Sequence, residues 1–234
     1  MKTAPEATPP REPLTRDRVL YAALTLADTH GLDALTMRAL GAALGVKAMS
    51  LYNHVKDKED LLDGMVGLVV AEIEAPSTGL PWREAMERRA RSAHSVLMRH
   101  PWACGLLMSR VNVSPAMLAY IDATLLCLTQ AGFSLPMADH AWNAMDCFIY
   151  GFTLQRLNFP FAPNEYADAA ASYLPSLSAA QYPAMHALTV QVASRQHDGL
   201  QELGFGLGLI LDGLERLRTP ESPSQSPSRS PATG

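Results

Sequence analysis

The sequence predicts an all-helical protein, and three observations support this prediction. Apolar residues recur at intervals of three and four along most of the chain, which is the period of an amphipathic helix. No stretch shows the alternation of β-branched and aromatic residues with polar residues that marks a strand. Glycine and proline interrupt the apolar pattern at positions typical of helix boundaries.

Composition limits the class of protein. Of the 234 residues, 48% are hydrophobic and 18% are charged, as in an ordinary globular protein. Cys104, Cys127 and Cys147 form no close pair, so neither a disulfide framework nor a thiolate zinc site is indicated. The first residues lack the apolar core of a signal peptide, and the longest apolar runs are too short for a membrane span. We therefore expect a cytoplasmic protein without a membrane partner.

Four helices are expected in the N-terminal part of the chain. The first begins after Thr15 as N-cap and ends at Gly31, and the second begins after Thr36 and ends at Gly45. A third, short helix is expected over residues 47–54. A fourth begins at Asp57, with acidic residues in its first turn, where the helix dipole favours them. The apolar residues assigned to the core of this region are Leu40, Leu44, Val46, Leu51 and Val55.

Further helices are expected beyond a loop that contains several prolines and glycines after Ala75. The stretch 158–185 is expected to be a loop with one or two short helices. The longer helices are predicted over residues 82–99, 101–110, 115–131, 136–157 and 198–218.

The second and third helices, joined by the tight turn at Gly45, form a predicted helix-turn-helix, in which the second helix would enter a DNA major groove. The same pattern also occurs as a plain packing unit. Charge favours the nucleic-acid interpretation, because residues 1–58 carry a net charge of +2 and the rest of the chain carries −6. No carboxylate lies between residues 47 and 56, and the exposed donors expected there are Lys47, Ser50, Tyr52, Asn53, His54, Lys56 and Lys58.

The segment Leu35 to Leu62, and above all its Leu-Tyr-Asn-His-Val-Lys-Asp-Lys run from Leu51 to Lys58, resembles the DNA-binding signature of the TetR family of bacterial transcriptional regulators. Trp142 to Gln155 and Phe205 to Glu215 resemble, more weakly, the C-terminal core of the tetracycline-repressor branch. The resemblance implies a three-helix helix-turn-helix DNA-binding domain over residues 14–62. It implies a larger helical ligand-binding and dimerisation domain over residues 63–218, and we expect disordered tails over 1–13 and 219–234.

The resemblance also assigns roles within the motif. Thr36 and Arg38 match positions that touch phosphate and base, and Tyr52 and Lys58 match phosphate contacts. The residues that match the base-reading face are Ala48, Met49, Ser50, Asn53 and His54. A core-edge role for Tyr52 and a capping role for His54 remain alternatives. Because Met37 replaces a hydroxyl residue of the family, and Ala48 replaces a longer polar one, the operator sequence cannot be carried over from a relative.

The C-terminal region is expected to dimerise the protein and to bind a small molecule. The helices near 136–157 and 198–218 resemble the pair that forms the family's homodimer interface, and close helix contact there would offset the cost of the glycines in 199–213. Methionine and aromatic residues would suit an apolar effector, with core packing as the alternative for each. The candidate effector-binding residues are His94, Trp102, Met108, Met117, Trp142, Asn143, Asp146 and Tyr150.

The resemblance implies a ligand-responsive transcriptional regulator, most simply a repressor that leaves double-stranded operator DNA when an apolar effector binds. At the positions where the tetracycline repressor holds a drug-bound magnesium ion, this chain has Leu106 to Met108 and Gln155, so tetracycline is not expected as the effector. No metal spacing and no cofactor loop are visible, so no cofactor and no enzyme activity are expected. The alternatives are a DNA-binding dimer without an effector, and a helical enzyme with a site hidden from sequence patterns.

Overall fold

The computed structural model describes residues 13–162, 165–199 and 202–218, and no strand occurs within these ranges. The prediction of an all-helical protein is confirmed. Two single turns of 3-10 helix occur at Leu32–Ala34 and Leu174–Ser176. The α-helices are α1 Arg16–His30, α2 Met37–Leu44, α3 Ala48–Leu51, α4 Lys58–Ala71, α5 Trp82–Arg99, α6 Pro101–Ser109, α7 Pro115–Gln130, α8 Leu135–Leu157, α9 Glu165–Tyr173, α10 Pro183–Ala193 and α11 Leu203–Leu217.

The chain divides into two compact units. The first contains the described residues up to Ser77 together with Ser92–Leu126, and the second contains Thr78–Arg91 and the described residues from Cys127 onward. Helices α5 and α7 each contribute residues to both units. The predicted tails 1–13 and 219–234 lie outside the described residues, except for residue 13.

The core of the first unit is built from α1, α2, α3 and α4. Among the predicted core residues, Leu40, Leu51 and Val55 are buried, while Leu44 and Val46 are half-buried and pack against them. Burial of one such side chain stabilises the fold by roughly 1.5–3 kcal/mol. The remaining buried members of this cluster are Val19, Leu20, Ala23, Ala27, Leu35, Leu61, Leu62 and Met65.

Polar contacts join α1, α4 and α6 within the first unit. The buried imidazole of His100 places Nδ1 2.8 Å from Asp28 Oδ1 in α1 and Nε2 3.3 Å from Glu72 Oε1, at the end of α4. The Trp102 indole donates to the same Asp28 oxygen at 2.6 Å. Arg110, just beyond α6, donates to Asp63 of α4 at 2.8 Å. These contacts fix α6 on the helices that carry the helix-turn-helix.

The second unit contains the packing of α8 against α11. A Cβ atom built at Gly206 would lie 2.4 Å from the Phe148 ring, so any other residue there would require this ring to shift. Trp82 at the start of α5 packs edge-on against Phe133, with ring centroids 5.0 Å apart. Its indole nitrogen donates to Glu215 of α11 at 2.9 Å.

Three helices differ from the sequence expectation. Helix α3 covers Ala48–Leu51, whereas a helix over residues 47–54 was expected, and residues 52–54 form a turn after it. Helix α10 was not predicted, and α11 begins at Leu203 instead of residue 198. Gly199 has a φ of +69°, a left-handed conformation that a right-handed helix cannot continue through. The loop predicted over 158–185 contains α9 and one 3-10 turn, within the one or two short helices expected there.

Candidate nucleic-acid interface

Helix α2 begins and ends as its sequence predicts. The Thr36 hydroxyl oxygen accepts a hydrogen bond from the Ala39 N–H at 3.1 Å, which caps the helix. Gly45 follows the last turn with a φ of +68°, a left-handed conformation that favours glycine. The Val46 N–H then donates back to the Gly41 carbonyl at 2.9 Å. These bonds reverse the chain within three residues and direct it into α3.

Gly41 sets how closely α3 approaches α2. A Cβ atom at this position would lie 2.9 Å from the Val46 carbonyl oxygen and 3.1 Å from the Ala48 backbone nitrogen. Both neighbours are backbone atoms, so a side chain at 41 would have to push the two helices apart. Sequence reasoning did not single out Gly41. Its position on the buried side of α2, one residue after the core residue Leu40, is the signal that could have identified it.

The predicted DNA-contacting residues are mostly exposed. Leu51 is fully buried, which anchors α3 and leaves its other side chains facing away from the core. Met49 is 75% exposed and Tyr52 is 45% exposed. Ala48, Ser50 and His54 are half-buried. The other exposed members of the set are Thr36, Arg38, Lys47, Asn53, Lys56 and Lys58.

The segment after α3 is held in place by hydrogen bonds to its backbone. The His54 N–H donates to the Leu51 carbonyl at 2.9 Å, and the His54 carbonyl accepts from Arg16 Nη1 of α1 at 2.9 Å. The Lys56 N–H donates to Asp60 Oδ2 at 2.8 Å. Asp57 caps α4 by accepting from the Asp60 N–H at 2.8 Å. The exposed side chains of this segment therefore extend from a fixed backbone.

Arg16 and Asp60 form the charged centre of this arrangement. Arg16 Nη1 and Nη2 donate to the two Asp60 carboxylate oxygens at 2.9 and 2.7 Å, a bidentate pair. These bonds, together with the Lys56 N–H, lower the pKa of Asp60 from 3.8 to about 2. The same interaction raises the pKa of Arg16. From the sequence, Asp60 is expected only as one of the acidic residues in the first turn of the fourth helix, and the pairing with Arg16 is not predicted.

The exposed set supplies the chemistry that double-stranded DNA requires. Lys47, Lys56 and Lys58 offer ammonium groups to phosphate oxygens, which supply most of the sequence-independent affinity. Arg38 can donate to both acceptors of guanine, and Asn53 can pair with adenine. Met49 offers an apolar contact to a thymine methyl group.

The eight predicted effector-binding residues divide between the two units. His94, Trp102, Met108 and Met117 belong to the first unit, where Trp102 bonds to Asp28 as described above and Met108 is 57% exposed. The other four lie on α8 in the second unit. Of these, Asn143 is exposed and its side-chain amide donates to the Asp139 carbonyl, so Asn143 faces solvent in the protomer.

Three of the α8 residues belong to a buried polar network. Asp146 accepts hydrogen bonds from Trp142 Nε1 at 2.7 Å and from the Tyr150 hydroxyl at 3.1 Å. It also accepts from Arg89 Nη2 of α5, and Arg89 is fully buried. Sequence reasoning missed Arg89, although its place on the apolar face of α5, between Met86 and Ala90, is a readable signal. A buried ion pair costs desolvation, so its presence in a core needs a reason other than stability.

Three cavities in the second unit are lined by other residues. One of about 770 Å³ lies beside Phe148 and Phe205, one of about 560 Å³ lies beside Trp82 and Glu215, and one of about 230 Å³ lies between α9 and α10. None of the eight predicted effector residues lines these three cavities. No cluster of three or more potential metal ligands occurs in the described part of the chain. Within the same residues, none of the helices combines the length and apolar character that a bilayer crossing needs.

Known proteins resemble this chain in both sequence and structure. Residues 19–65 match the family described as bacterial regulatory proteins, tetR family, and residues 75–218 match the tetracyclin repressor-like C-terminal domain. The transcriptional repressor DrrR1 of Streptomyces coeruleorubidus is 33% identical over 218 residues, which cover 89% of this chain and 80% of that protein. The tetracycline repressor of class E from Escherichia coli is 29% identical and covers 88% of this chain and 96% of its own length.

A solved structure extends the likeness to the fold. ActR of Streptomyces coelicolor, a TetR family protein crystallised with actinorhodin, has a TM-score of 0.74 and is 28% identical. The match covers 88% of this chain and 98% of ActR. The two family matches together span most of the described residues, from the first helix to the end of α11. The chain therefore belongs to the TetR family of bacterial transcriptional regulators.

Proposed function

We propose that this protein is a dimeric repressor that releases its operator when a small apolar effector binds within residues 82–157. The observation that carries the DNA-binding part is the exposed set around α3, which contains cations and amides but no carboxylate from residue 47 to 56. The relatives support the rest. DrrR1 is named as a repressor, and ActR has been crystallised with a small molecule.

Each residue of the interface has a proposed role. Arg38 reads a guanine, Ser50 and Asn53 donate to or accept from base edges, and Ala48 or Met49 contacts a thymine methyl group. Thr36 and Tyr52 position the motif by contacts to phosphate. His54 completes the base-reading face, and the phosphate contacts that carry charge come from Lys47, Lys56 and Lys58.

Two helix-turn-helix units joined by a two-fold axis would read half-sites one helical turn apart. We assign the dimer interface to α8 and α11. The exposed side of α11 carries Phe205 and Leu209, which are 72% and 61% exposed in the protomer. The exposed side of α8 carries small residues, among them Ala144, Cys147 and Gly151, which permit close helix contact. Apolar and small residues at helical spacing suit an interface more than a solvated surface.

The effector contacts are proposed from the eight residues named above. The Asp146 network supplies the polar groups that would orient a ligand, and Trp142 and Tyr150 add half-buried aromatic surface. The other proposed contacts are His94, Trp102, Met108, Met117 and the exposed Asn143. Tetracycline itself is not proposed, since Leu106 to Met108 and Gln155 offer no imidazole or carboxylate to a drug-bound metal.

Effector binding must change DNA affinity through a difference in affinity for two states of the dimer. We propose that the effector favours a state in which the two helix-turn-helix units no longer match successive major grooves. The ion pair of Arg110 with Asp63 and the contacts of His100 with Asp28 and Glu72 tie α6 to α1 and α4. A displacement of α6 would therefore move α4 and the motif with it.

A two-step experiment tests the effector part of this proposal. Thermal melts of the purified protein with a panel of apolar aromatic compounds identify ligands that raise the melting temperature. Each stabilising compound is then added to a preformed operator complex, and release of the DNA is followed by fluorescence anisotropy. Stabilisation together with DNA release supports the proposal. If no compound stabilises the protein, or if stabilising compounds leave the complex intact, the DNA-binding dimer without an effector is favoured.

A further inference from the structure

We infer that Arg16 and Asp60 form a positioning pair, which holds the segment His54–Lys58 in the conformation that meets the DNA backbone. The inference rests on the operator binding described above and adds to it two residues outside the recognition helix. Neither residue needs to touch DNA in this role. Each acts through the backbone of a segment that carries His54, Lys56 and Lys58.

The geometry of the pair supports this role. Arg16 lies in the first turn of α1, and Asp60 lies in the first turn of α4. Their two parallel N–H···O bonds, at 2.7 and 2.9 Å, define the distance between the starts of these helices. The same guanidinium also donates to the His54 carbonyl at 2.9 Å, and the same carboxylate accepts from the Lys56 N–H at 2.8 Å. The pair therefore holds the segment at two points.

Other contacts also hold the start of this segment, where the His54 and Val55 N–H groups both donate to the Leu51 carbonyl. Val55 is buried and anchors the middle of the segment in the core. Lys56 and Lys58 are exposed. The Arg16–Asp60 pair restricts the backbone of this segment before DNA binds, so the segment loses less conformational entropy on binding. Preorganisation of this kind lowers the cost of binding without adding a contact to the ligand.

A substitution that changes the charge of the pair tests this role, because positioning and simple electrostatic attraction predict opposite changes in DNA affinity. The substitution Asp60→Asn removes a negative charge near the phosphates, so electrostatic attraction alone predicts tighter DNA binding. Loss of the bidentate pair predicts weaker binding, because the amide cannot accept from both Arg16 nitrogens and from Lys56. The substitution Arg16→Lys keeps the positive charge, yet a single ammonium group cannot reproduce the planar fork.

The experiment measures operator affinity of the full-length dimer by fluorescence anisotropy at several salt concentrations. For both variants we expect a roughly tenfold loss of affinity and a salt slope smaller by about one to two, as phosphate contacts from Lys56 and Lys58 are lost. The loss in the double variant should be smaller than the sum of the two single losses, since both changes break the same pair. Urea unfolding is measured in parallel, so that affinities are compared at equal folded fraction.

A second ion pair supplies the matched control. Arg195 and Asp168 also form an exposed pair at 2.8 Å, between the end of α10 and α9, where no DNA contact is proposed. The variants Arg195→Lys and Asp168→Asn should therefore leave operator affinity and the salt slope at wild-type values.

Three results separate the possibilities. Tighter or unchanged binding by Asp60→Asn, with an unchanged salt slope, would overturn the inference. If Asp60→Asn fails to fold, then Arg16→Lys decides the question alone, and wild-type affinity in that variant overturns the inference. A wild-type protein that binds no operator contradicts the DNA-binding function itself, and is thereby distinguished from failure of the positioning pair.

Discussion

At the residue scale, two glycines determine the geometry of the helix-turn-helix. Gly45 ends α2 in a left-handed conformation, and Gly41 allows the backbone of α3 to lie against α2. The first follows from the sequence, because a glycine after an apolar helical run is the usual end of a helix. The second does not, because the close approach depends on where α3 lies in space.

We expect Gly41→Ala to destabilise the first unit. The added methyl group would meet the Val46 carbonyl at 2.9 Å, and overpacking of this kind costs about 1–3 kcal/mol. The control is Gly105→Ala in α6, where a Cβ atom meets nothing within 4 Å and alanine improves helix propensity by about 0.5–1 kcal/mol. Urea unfolding followed by circular dichroism measures both. Equal stability of the two variants would show that α3 does not approach α2 as described.

Arg38 and Lys58 should affect DNA binding in different ways. Loss of a base contact in Arg38→Ala should relax discrimination at one base pair by about 1–3 kcal/mol. Loss of a phosphate contact in Lys58→Ala should weaken all sequences similarly and reduce the salt slope by about one. Titrations against a set of single-base operator variants measure both effects. A sequence-selective loss in Lys58→Ala would refute its assignment as a phosphate contact.

The contribution of the Asp60 carboxylate to the stability of the fold should depend on pH. Its pKa is lowered from 3.8 to about 2 in the folded protein, so the ionised carboxylate stabilises the fold above about pH 4. That contribution is lost as the pH falls towards 2. The difference in unfolding free energy between wild type and Asp60→Asn should therefore shrink over this range. A difference that stays constant down to pH 2 would contradict the ion pair with Arg16.

At the scale of helices, the sequence predicts helices that have clear N-cap residues, and it misses helices that depend on packing against other helices. Thr15 and Thr36 are N-caps whose hydroxyl oxygens accept hydrogen bonds as the sequence suggests, and Asp57, expected as the start of the fourth helix, is its N-cap. Helix α10 begins at a proline, contains several β-branched residues and packs on α9, so no clear amphipathic pattern marks it. The start of α11 was predicted too early, because a glycine in the left-handed conformation cannot be told from a helical glycine by sequence.

The exposed side of α11 gives a prediction about assembly. Phe205→Glu and Leu209→Glu each place a charge on the proposed interface, where burial without a partner is costly, so the dimer should dissociate. Light scattering after size exclusion should then report the protomer mass of 25.3 kDa in place of about twice that value. The control is Leu118→Glu on α7, which is also exposed and lies outside the proposed interface. Dimers that persist in both α11 variants would place the interface elsewhere.

At the scale of the whole molecule, the charge distribution indicates DNA binding and the chain path is the part that sequence cannot predict. The net charge of +2 in the first 58 residues, against −6 in the rest, is readable without a structure. By contrast, Ser92–Leu126 belongs to the same compact unit as the helix-turn-helix. Contacts between helices far apart in sequence produce this grouping, and periodicity does not record them. The apolar face of α5 could have predicted that Arg89 is buried, but its partner Asp146 lies 57 residues away in sequence and no periodicity identifies that pairing.

The central claim is that the exposed surface around α3 reads a specific operator. The direct test is a titration of the purified protein against DNA that flanks its own gene, at two salt concentrations, with a random fragment as competitor. We predict a preference of roughly a thousandfold or more for the flanking DNA, retained at the higher salt concentration. Equal affinity for both fragments, abolished by salt, would contradict specific recognition, and no binding at low salt would contradict DNA binding by this motif.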